Sequence, residues 1–352
     1  MRRPVDQRLP ADNAEGPPAG RGVTASDVAR LAKVSRSSVS RTFTPGASVA
    51  PETRARVLAA ASQLNYRVNL LARSLINQRS DLVGIVVAAT ENPFRSEMTT
   101  ALIQAIQAAD LRPMVVHAAP EKPSDQVIGM LLRYQVSGIV VTSDSPPRQI
   151  VEECAAASVP MVVINRAVGD LAVDSLNCDN AAGAGLAYRA FRAAGIDHLR
   201  VVTPQTPTFA LAERTDAFTT LATADGIACG PLVVRENSYA AALEAGAELS
   251  SVAGPRTGVF CVTDYLAFGI RDGLRRRRPD PVPDRISLIG FDDVPQASWD
   301  AYQLATLHQP VTAMAGRVIA LLTDRHADPS LPPQRLVQPV SFVARESFAA
   351  MP

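Results

Sequence analysis

The sequence predicts a small all-α head at the N-terminus, followed by an α/β body of two doubly wound parallel-sheet lobes. Three short helical patterns share residues 24 to 66, and from residue 81 apolar strands alternate with helical segments through two successive sets. Charge separates the two parts as well. Residues 22 to 80 contain nine Lys and Arg against two Asp and Glu, although the whole chain carries only +1. A basic head of this kind is typical of a nucleic-acid-binding domain joined to another domain.

Composition limits the class of protein further. With 352 residues, 47% of them hydrophobic, the chain is long enough for two or three domains with a large core. No apolar run approaches the roughly 18 to 20 residues that span a bilayer. Residues 1–22 lack the apolar core of a secretory signal and are rich in Pro, Gly and Ala, so we expect a disordered tail and a cytoplasmic protein. Four cysteines without a C-x-x-C pair indicate reduced thiols, and we expect neither a metal nor a cofactor.

The stretch from Thr24 to Phe43 predicts two short helices joined by a tight turn, a helix-turn-helix. Thr24 and Asp27 have the spacing of a capping box at the start of the first helix. Its inner face is formed by four apolar residues: Val28, Ala29, Leu31 and Ala32. Ser35 is the expected N-cap of the second helix, in which Val39 faces inward.

An outer face remains on the second helix, formed by Arg36, Ser37, Ser40 and Arg41. Arginine can pair bidentately with guanine, and serine can contact bases or phosphate, so this face suits the DNA major groove. The alternative is the solvated face of an ordinary helical hairpin.

A third helix follows, with Pro51 at its first position and a closing stripe of Val57, Ala61 and Leu64. Asn65 is expected to take a left-handed conformation at its end. Arg54 and Arg56 lie outside the stripe, where they meet phosphates or solvent. Residues 23–66 are therefore predicted as the DNA-binding domain.

Residues 67–80 combine Arg67, Arg73 and Arg79 with exposed leucines around a short helical stretch. Such a helix is too short to be stable alone, but in a DNA minor groove it could insert Leu75 between base steps. The alternative is an amphipathic linker that packs on the body.

The body pattern places polar residues after its strands, where ligands of doubly wound sheets bind. The positions nominated in this way are Thr90 to Phe94, Asp144, Asn165, Arg166, Thr203 to Phe209, Thr263, Asp264, Asp292 and Asp293. Polar side chains with an occasional aromatic suit a sugar or a nucleoside. The alternative for each is helix capping or loop chemistry, and Asp264 could be the N-cap of the helix that follows.

From Val23 onward the chain resembles the lactose/galactose repressor (LacI/GalR) family of bacterial transcription regulators. The segments that carry the resemblance are DVARLAKVSRSSVSRTF, PETRARVLAAASQLNY, NLLARSL, GIVVAATENPF, VPMVVINR, VFCVTDYLAFG, ISLIGFDD, LATLHQP and VARES. The resemblance implies a homodimeric repressor that reads a near-palindromic double-stranded DNA operator. It also implies a body, residues 81–346, that is similar to periplasmic sugar-binding proteins and binds a small effector, a sugar or a derivative, between its lobes.

By position, the resemblance also implies the functional residues. The DNA-binding residues of the head are Thr24, Ser35, Arg36, Ser37 and Arg41. Those of a hinge helix within residues 67–80 are Asn69, Ala72, Arg73 and Leu75, with Leu75 as the wedge. The effector contacts are Phe94, Asn165, Arg214, Thr263 and Asp292, among which Arg214 and Asp292 offer bidentate donors and acceptors to adjacent hydroxyl groups.

The sequence departs from the family pattern at several of these places. Lys33 stands where the turn often has glycine, at a cost of about 1 kcal/mol if its backbone is left-handed. Val68 replaces the usual proline before Asn69, and Thr263 replaces the usual asparagine before Asp264. Residues 347–352 form a short C-terminal tail without heptads, so we expect a dimer.

Two other functions compete with DNA-binding regulation. A solute-binding receptor without DNA function would explain the body alone, but the basic head argues against it. An enzyme is disfavoured because the sequence has no nucleophile elbow, P-loop, metal-ligand cluster or G-x-G-x-x-G motif.

Overall fold

The computed structural model describes residues 22–44, 46–67, 80–249, 256–276 and 282–348. The chain separates into two compact units, Met1–Asn77 and Gln78–Pro352. The expected hinge residues Asn69, Ala72, Arg73 and Leu75 lie outside the described residues. In the ranges that are described, no helix has both the length and the apolar character needed to span a membrane.

The described part of the first unit contains helices α1 (Ala25–Ala32), α2 (Arg36–Thr42) and α3 (Pro51–Gln63). Their predicted ends are confirmed. The backbone N–H and the hydroxyl of Thr24 both donate to Asp27 Oδ2, at 3.0 and 2.7 Å. Ser35 Oγ accepts from the Ser38 N–H at 3.2 Å. Asn65, just past α3, has the expected positive φ of 50°.

A small core closes the head. Its buried members are Val28, Ala29, Ala32, Val39, Val57, Ala60 and Ala61. The prediction for Leu31 is wrong, because its side chain is 42% exposed. Each helical residue advances about 100°, so Leu31 lies roughly 110° from the centre of the stripe formed by Val28, Ala29 and Ala32.

Strands and helices alternate up to residue 289 of the second unit as predicted, except that Asp174–Cys178 forms a strand that was not predicted. The elements up to residue 193 are β1 (Leu82–Val87), α4 (Pro93–Ala108), β2 (Arg112–His117), α5 (Ser124–Arg133), β3 (Gly138–Val141), α6 (Arg148–Ala156), β4 (Met161–Ile164), β5 (Asp174–Cys178) and α7 (Asn180–Ala193). Those that follow are β6 (His198–Pro204), α8 (Phe209–Ala224), β7 (Ala228–Val234), α9 (Tyr239–Leu249), β8 (Thr257–Cys261), α10 (Asp264–Arg275), β9 (Ile286–Ile289), a 3₁₀ turn (Pro295–Ser298), β10 (Thr306–His308), α11 (Val311–Ala327), β11 (Arg335–Gln338) and β12 (Ser341–Val343).

Two parallel sheets organise the described part of this unit. The first has the order β11-β5-β4-β3-β1-β2 and the second the order β7-β6-β8-β9. Ile85 of β1 lies opposite Val115 of β2 and Val140 of β3. Strands β3, β4 and β9 are buried along their whole length, as expected of parallel strands covered by helices on both faces.

The two lobes are not arranged in series, as the repeated alternation suggested. The chain enters the second lobe after β5, but α11 packs on α4 and β11 pairs with β5, so both return to the first lobe. The short antiparallel pair of β10 and β12 lies against the core of the second lobe through Leu307 and Phe342. Alternation along the chain does not specify which sheet a later element joins, because that depends on pairing between distant residues.

Candidate functional site

The outer face of α2 carries the polar side chains that the sequence placed there. Arg36, Ser37, Ser40 and Arg41 are all exposed, whereas Val39 is 1% exposed and anchors the helix in the core. Neither Arg36 nor Arg41 has a side-chain hydrogen bond or an ion pair with another described residue. Their guanidinium groups therefore remain available for an external partner.

The turn before this helix is strained at Lys33. Its φ of 54° and ψ of 48° are left-handed, and its backbone N–H hydrogen-bonds with carbonyl oxygens at the end of α1. A left-handed backbone disfavours a residue with a Cβ atom. The departure from the family's glycine therefore falls at a position where glycine has a physical advantage.

Arg54 makes two contacts within the head that the sequence did not predict. Its Nη1 donates to the carbonyl oxygen of Thr42 at 2.9 Å and its Nη2 to that of Ala47 at 3.3 Å. The side chain thus joins the end of α2 to the following loop. The Thr42 carbonyl oxygen is available because the last carbonyl groups of a helix lack intrahelical donors. A phosphate contact by Arg54 stays a prediction.

A cleft lies where strand ends of both lobes meet. The residues that line it are Asn92, Phe94, Arg95, Met98, Thr142, Ile164, Asn165, Arg166, Thr208, Ala210, Leu211, Arg214, Asn237, Thr263 and Asp292. All five residues expected to contact an effector, Phe94, Asn165, Arg214, Thr263 and Asp292, are brought together here.

Other nominated strand-end residues do not line the cleft. Asp144 is exposed and Asp264 is fully buried, and neither is among the residues that line the cleft. Arg95 and Asn237 also line the cleft but were not predicted from the sequence. Asn237 follows β7, so the rule of polar residues at strand ends could have found it. Arg95 lies in the first turn of α4, where no pattern distinguished it from a solvent-exposed arginine.

Arg214 is the most constrained side chain of the cleft. Its Nε donates to Asn180 Oδ1 at 2.8 Å, and its Nη1 donates to the Val262 carbonyl oxygen at 2.7 Å and to Asp292 Oδ1 at 3.2 Å. Its Nη2 donates to Cys178 Sγ at 3.7 Å. The guanidinium also stacks 3.5 Å above the ring centroid of Phe291. The protein therefore uses most of its donors, and one Nη2 hydrogen remains for a ligand.

Asp292 is held in place by two donors. Arg214 forms an ion pair with it, and Gln309 Nε2 donates to Oδ1 at 2.7 Å. Its φ of 134° is rare for a residue with a side chain. Burial raises the pKa of Asp292 to about 6, although the charge of Arg214 opposes the shift. The remaining oxygen can accept hydrogen bonds from a hydroxylated ligand.

Two adjacent residues at the start of α10, Thr263 and Asp264, have different roles. The N-cap is Thr263, whose Oγ1 accepts from the Leu266 N–H at 3.2 Å and donates to Asn237 Oδ1 at 3.0 Å. Asp264 is not the cap. It accepts from Thr306 Oγ1 at 2.5 Å and from the Val294 N–H at 3.0 Å, inside the protein.

Burial, and next the negative charge of Asp292, raise the pKa of Asp264 to about 8. Gly290 makes its position possible, since a Cβ atom there would lie 2.2 Å from Asp264 Oδ1. Asp264 is therefore an internal hydrogen-bonding group and does not line the cleft.

Asn165 contributes to the opposite wall. Its φ is 53°, and its Oδ1 accepts from the Cys178 N–H at 3.1 Å, which ties β4 to the end of β5. Among the described residues, no group of three or more His, Cys, Asp and Glu side chains could hold a metal ion. The cleft is thus a site for hydrogen bonds and ion pairs.

Two family models match the chain. The model of bacterial regulatory proteins of the lacI family matches residues 24–69, and that of the periplasmic binding protein-like domain matches residues 188–348. The ribose operon repressor of Haemophilus influenzae is 27% identical over 334 residues, which cover 93% of this chain and 99% of that repressor. Catabolite control protein A of Priestia megaterium is 27% identical over 312 residues, covering 86% of this chain and 92% of that protein.

Solved structures show the same fold. The lac repressor dimer bound to operator and the anti-inducer ONPF superimposes with a TM-score of 0.82 at 21% identity, covering 94% of this chain and 100% of that chain. A LacI family transcriptional regulator from Enterococcus faecium with bound ribose gives a TM-score of 0.69 at 23% identity, covering 77% and 100%. The helix-turn-helix head and the two-lobed body each match a family model, and relatives of nearly equal length match along almost the whole chain. This chain belongs to the lacI family of bacterial regulatory proteins.

Proposed function

We propose that this protein is a sequence-specific DNA-binding transcriptional repressor whose operator affinity changes when a small molecule binds in the cleft. One chain combines two features that support this function. The second helix of the helix-turn-helix has an exposed face of Arg and Ser residues, and residues from both lobes line a polar cleft. The relatives named as repressors support the same function, as do the solved neighbours bound to operator or to ribose.

The head, residues 23–66, supplies direct recognition of the operator. In this proposal Arg36, Ser37 and Arg41 contact base edges and phosphates in the major groove. Thr24 and Ser35, at the starts of α1 and α2, contact the sugar-phosphate backbone of the DNA. Two heads of a cytoplasmic homodimer read the two halves of a near-palindromic site. Residues 67–80 form the hinge between head and body.

Within the hinge, Asn69, Ala72 and Arg73 contact the minor groove and Leu75 enters a base step. In the body, residues 81–346, the effector contacts are Phe94, Asn165, Arg214, Thr263 and Asp292. An aromatic ring among amides, a hydroxyl group and an ion pair suits a sugar or a sugar derivative. An effector regulates DNA binding only if its affinity differs between the two states of the lobes.

The experiment starts from selection of bound sequences out of a random duplex library with the purified full chain. We expect one near-palindromic sequence to be enriched. Arg36→Ala should weaken binding to that sequence by roughly 10- to 100-fold, as expected for the loss of an arginine that contacts a base.

Arg148→Ala is the matched control. It removes the same charge from an exposed ion pair with Asp170 on the body and should leave the affinity unchanged. Enrichment of no sequence, or equal effects of the two variants, would contradict the proposal and favour a solute-binding receptor without DNA function.

A further inference from the structure

The first-lobe wall of the cleft carries two arginines, Arg95 in the first turn of α4 and Arg166 directly after β4. Neither forms an ion pair with any residue that the structure describes. Arg166 is buried and Arg95 is half-buried. Withdrawing a cation from water without a counter-ion is costly, so proteins pair such groups or leave them to a ligand. These two side chains therefore need an explanation beyond the hydroxyl contacts of a neutral sugar.

Arg166 is fixed in position by neutral acceptors. Its Nε donates to the Ser143 carbonyl oxygen at 3.1 Å, and its Nη2 to those of Thr142 and Ser143 at 3.0 and 2.7 Å. Its Nη1 donates to the carbonyl oxygen of Asn165 at 2.7 Å, and one Nη1 hydrogen remains. Carbonyl groups orient a guanidinium but do not neutralise it. Arg166 is only 8% exposed, lines the cleft, and is held in one orientation by these carbonyl groups.

Arg95 is much less engaged. Its Nη1 donates to the Ala88 carbonyl oxygen at 3.0 Å, and its other N–H groups have no acceptor in the described part of the chain. Burial lowers the pKa of Arg95, and the nearby Glu91 only partly opposes this effect. The pKa of Arg166 is lowered to about 10, by burial first and by the charge of Arg95 second. Two like charges thus repel each other on one wall.

The opposite wall of the cleft supplies no free carboxylate to balance the charges of Arg95 and Arg166. Arg214 is already paired with Asp292, and both side chains are 3% exposed. Asp144 acts favourably on Arg166 and Glu91 on Arg95, but both carboxylates are exposed and lie outside the cleft. Among the described residues that line the cleft, three arginines therefore face one carboxylate, which leaves two positive charges for a ligand to balance.

We propose that the effector is a small hydroxylated molecule that carries an oxyanion, a carboxylate or a phosphate ester, bound by Arg95 and Arg166. Guanidinium groups bind both oxyanions through paired, charge-assisted hydrogen bonds. The hydroxyl groups of the effector then face Asp292 and Asn165. The inference rests on the proposed function in that the ligand of the cleft is taken to be the effector, and it adds the chemical class of that ligand.

The test is isothermal titration of the full chain with matched sets of probes. One set is glucose, gluconate, glucuronate and glucose 6-phosphate, and the corresponding galactose and ribose sets extend it. We expect at least one oxyanion to bind and its neutral counterpart to bind roughly 10- to 100-fold more weakly, as expected for the loss of charge-assisted hydrogen bonds. The carboxylate and phosphate arms distinguish the two sources of the oxyanion.

Arg95→Gln should lower the affinity for the oxyanion by a similar factor and leave the affinity for the neutral sugar unchanged. Arg95→Lys keeps the charge and should retain part of the affinity, which separates charge from folding. Arg112→Gln is the matched control, since Arg112 is an exposed first-lobe arginine that pairs with Asp81 outside the cleft. Binding of neutral sugars only, binding of no oxyanion in any set, or equal binding by Arg95→Gln would overturn the inference. A neutral sugar that binds and alters operator affinity would overturn the ligand class alone, whereas an oxyanion that binds a chain without sequence-specific DNA affinity would overturn the proposed function alone.

Discussion

Arg214 and Asp292 form an ion pair buried inside the body, with Nη1 and Oδ1 separated by 3.2 Å and each side chain 3% exposed. The pair connects α8 to the loop after β9 and forms one wall of the cleft. Because both charges are removed from water, their interaction depends on each partner remaining present. The same contact therefore contributes to the stability of the second lobe and to the shape of the ligand site.

Asp292→Asn should destabilise the protein by about 3 to 5 kcal/mol, because it leaves the buried Arg214 cation without its counter-ion. Urea denaturation of the full chain measures this change. Asp170→Asn, which removes a partner of the exposed Arg148 in the first lobe, should cost less than about 1 kcal/mol. Equal costs for the two variants would show that burial does not govern the Arg214–Asp292 pair.

Stability should fall as the pH rises from about 4 to about 8. The Asp264 carboxyl has a pKa of about 8 in the folded protein against a reference value of 3.8, so the folded state binds more protons than the unfolded state between these values. Its contribution is fully present below about pH 4 and is lost as the pH rises through the folded pKa. The melting temperature between pH 5 and pH 9 measures this dependence.

Asp264→Asn should flatten the pH dependence, because asparagine mimics the protonated acid and can still bond with Thr306 and the Val294 N–H. Asp144→Asn, at an exposed carboxylate, should preserve the wild-type slope. An Asp264→Asn profile that parallels the wild type would assign the pH dependence to other groups.

Lys33→Gly should stabilise the head by roughly 1 kcal/mol, because glycine accepts the left-handed backbone of the turn without a steric penalty. Asn65→Gly is a useful comparison. Asn65 has a similar φ of 50°, but asparagine tolerates that region better than lysine, so its replacement should gain less. The head transition in thermal unfolding, followed by circular dichroism, compares the two. A loss of stability in Lys33→Gly would mean that the Lys33 side chain makes a stabilising contact.

Leu75→Ala should weaken operator binding strongly while the cleft keeps its affinity for ligand. An apolar wedge neutralises no phosphate, so the slope of log affinity against log salt concentration should not change. Fluorescence anisotropy with the selected operator at several salt concentrations gives both quantities. Unchanged operator affinity would refute the hinge assignment, and a lower salt slope would indicate a phosphate contact instead.

The sequence predicted local structure well where a short-range rule determines it. Neighbours within a few positions determine the capping residues Thr24 and Ser35 and the left-handed Asn65. They also determine the alternation from β1 to β4 and from β6 to β9, whereas β5 was not predicted. The return of α11 and β11 to the first lobe does not, because β11 joins β5 across roughly 160 residues. No spacing rule reaches that far.

In the cleft, too, local rules predicted some residues and long-range contacts determined others. Polar residues after strands were predicted to meet there, and Asn165, Thr263 and Asp292 do so. The engagement of Arg214 by Asn180 and Cys178, which lie 34 and 36 residues away, could not be predicted from spacing. Spacing also could not identify Arg95 as a cleft residue. Its role depends on the absence of an ion pair with any described residue, which only the structure shows.

In the proposed function, ligand binding in the cleft and operator binding by the head are coupled. The most direct measurement is the affinity of the full chain for its selected operator, with and without a saturating concentration of the probe that binds best. We expect a change of roughly 5- to 150-fold for the wild type and no change for Asp292→Ala. Equal operator affinity with and without a bound probe in the wild type would show that the cleft does not regulate the head.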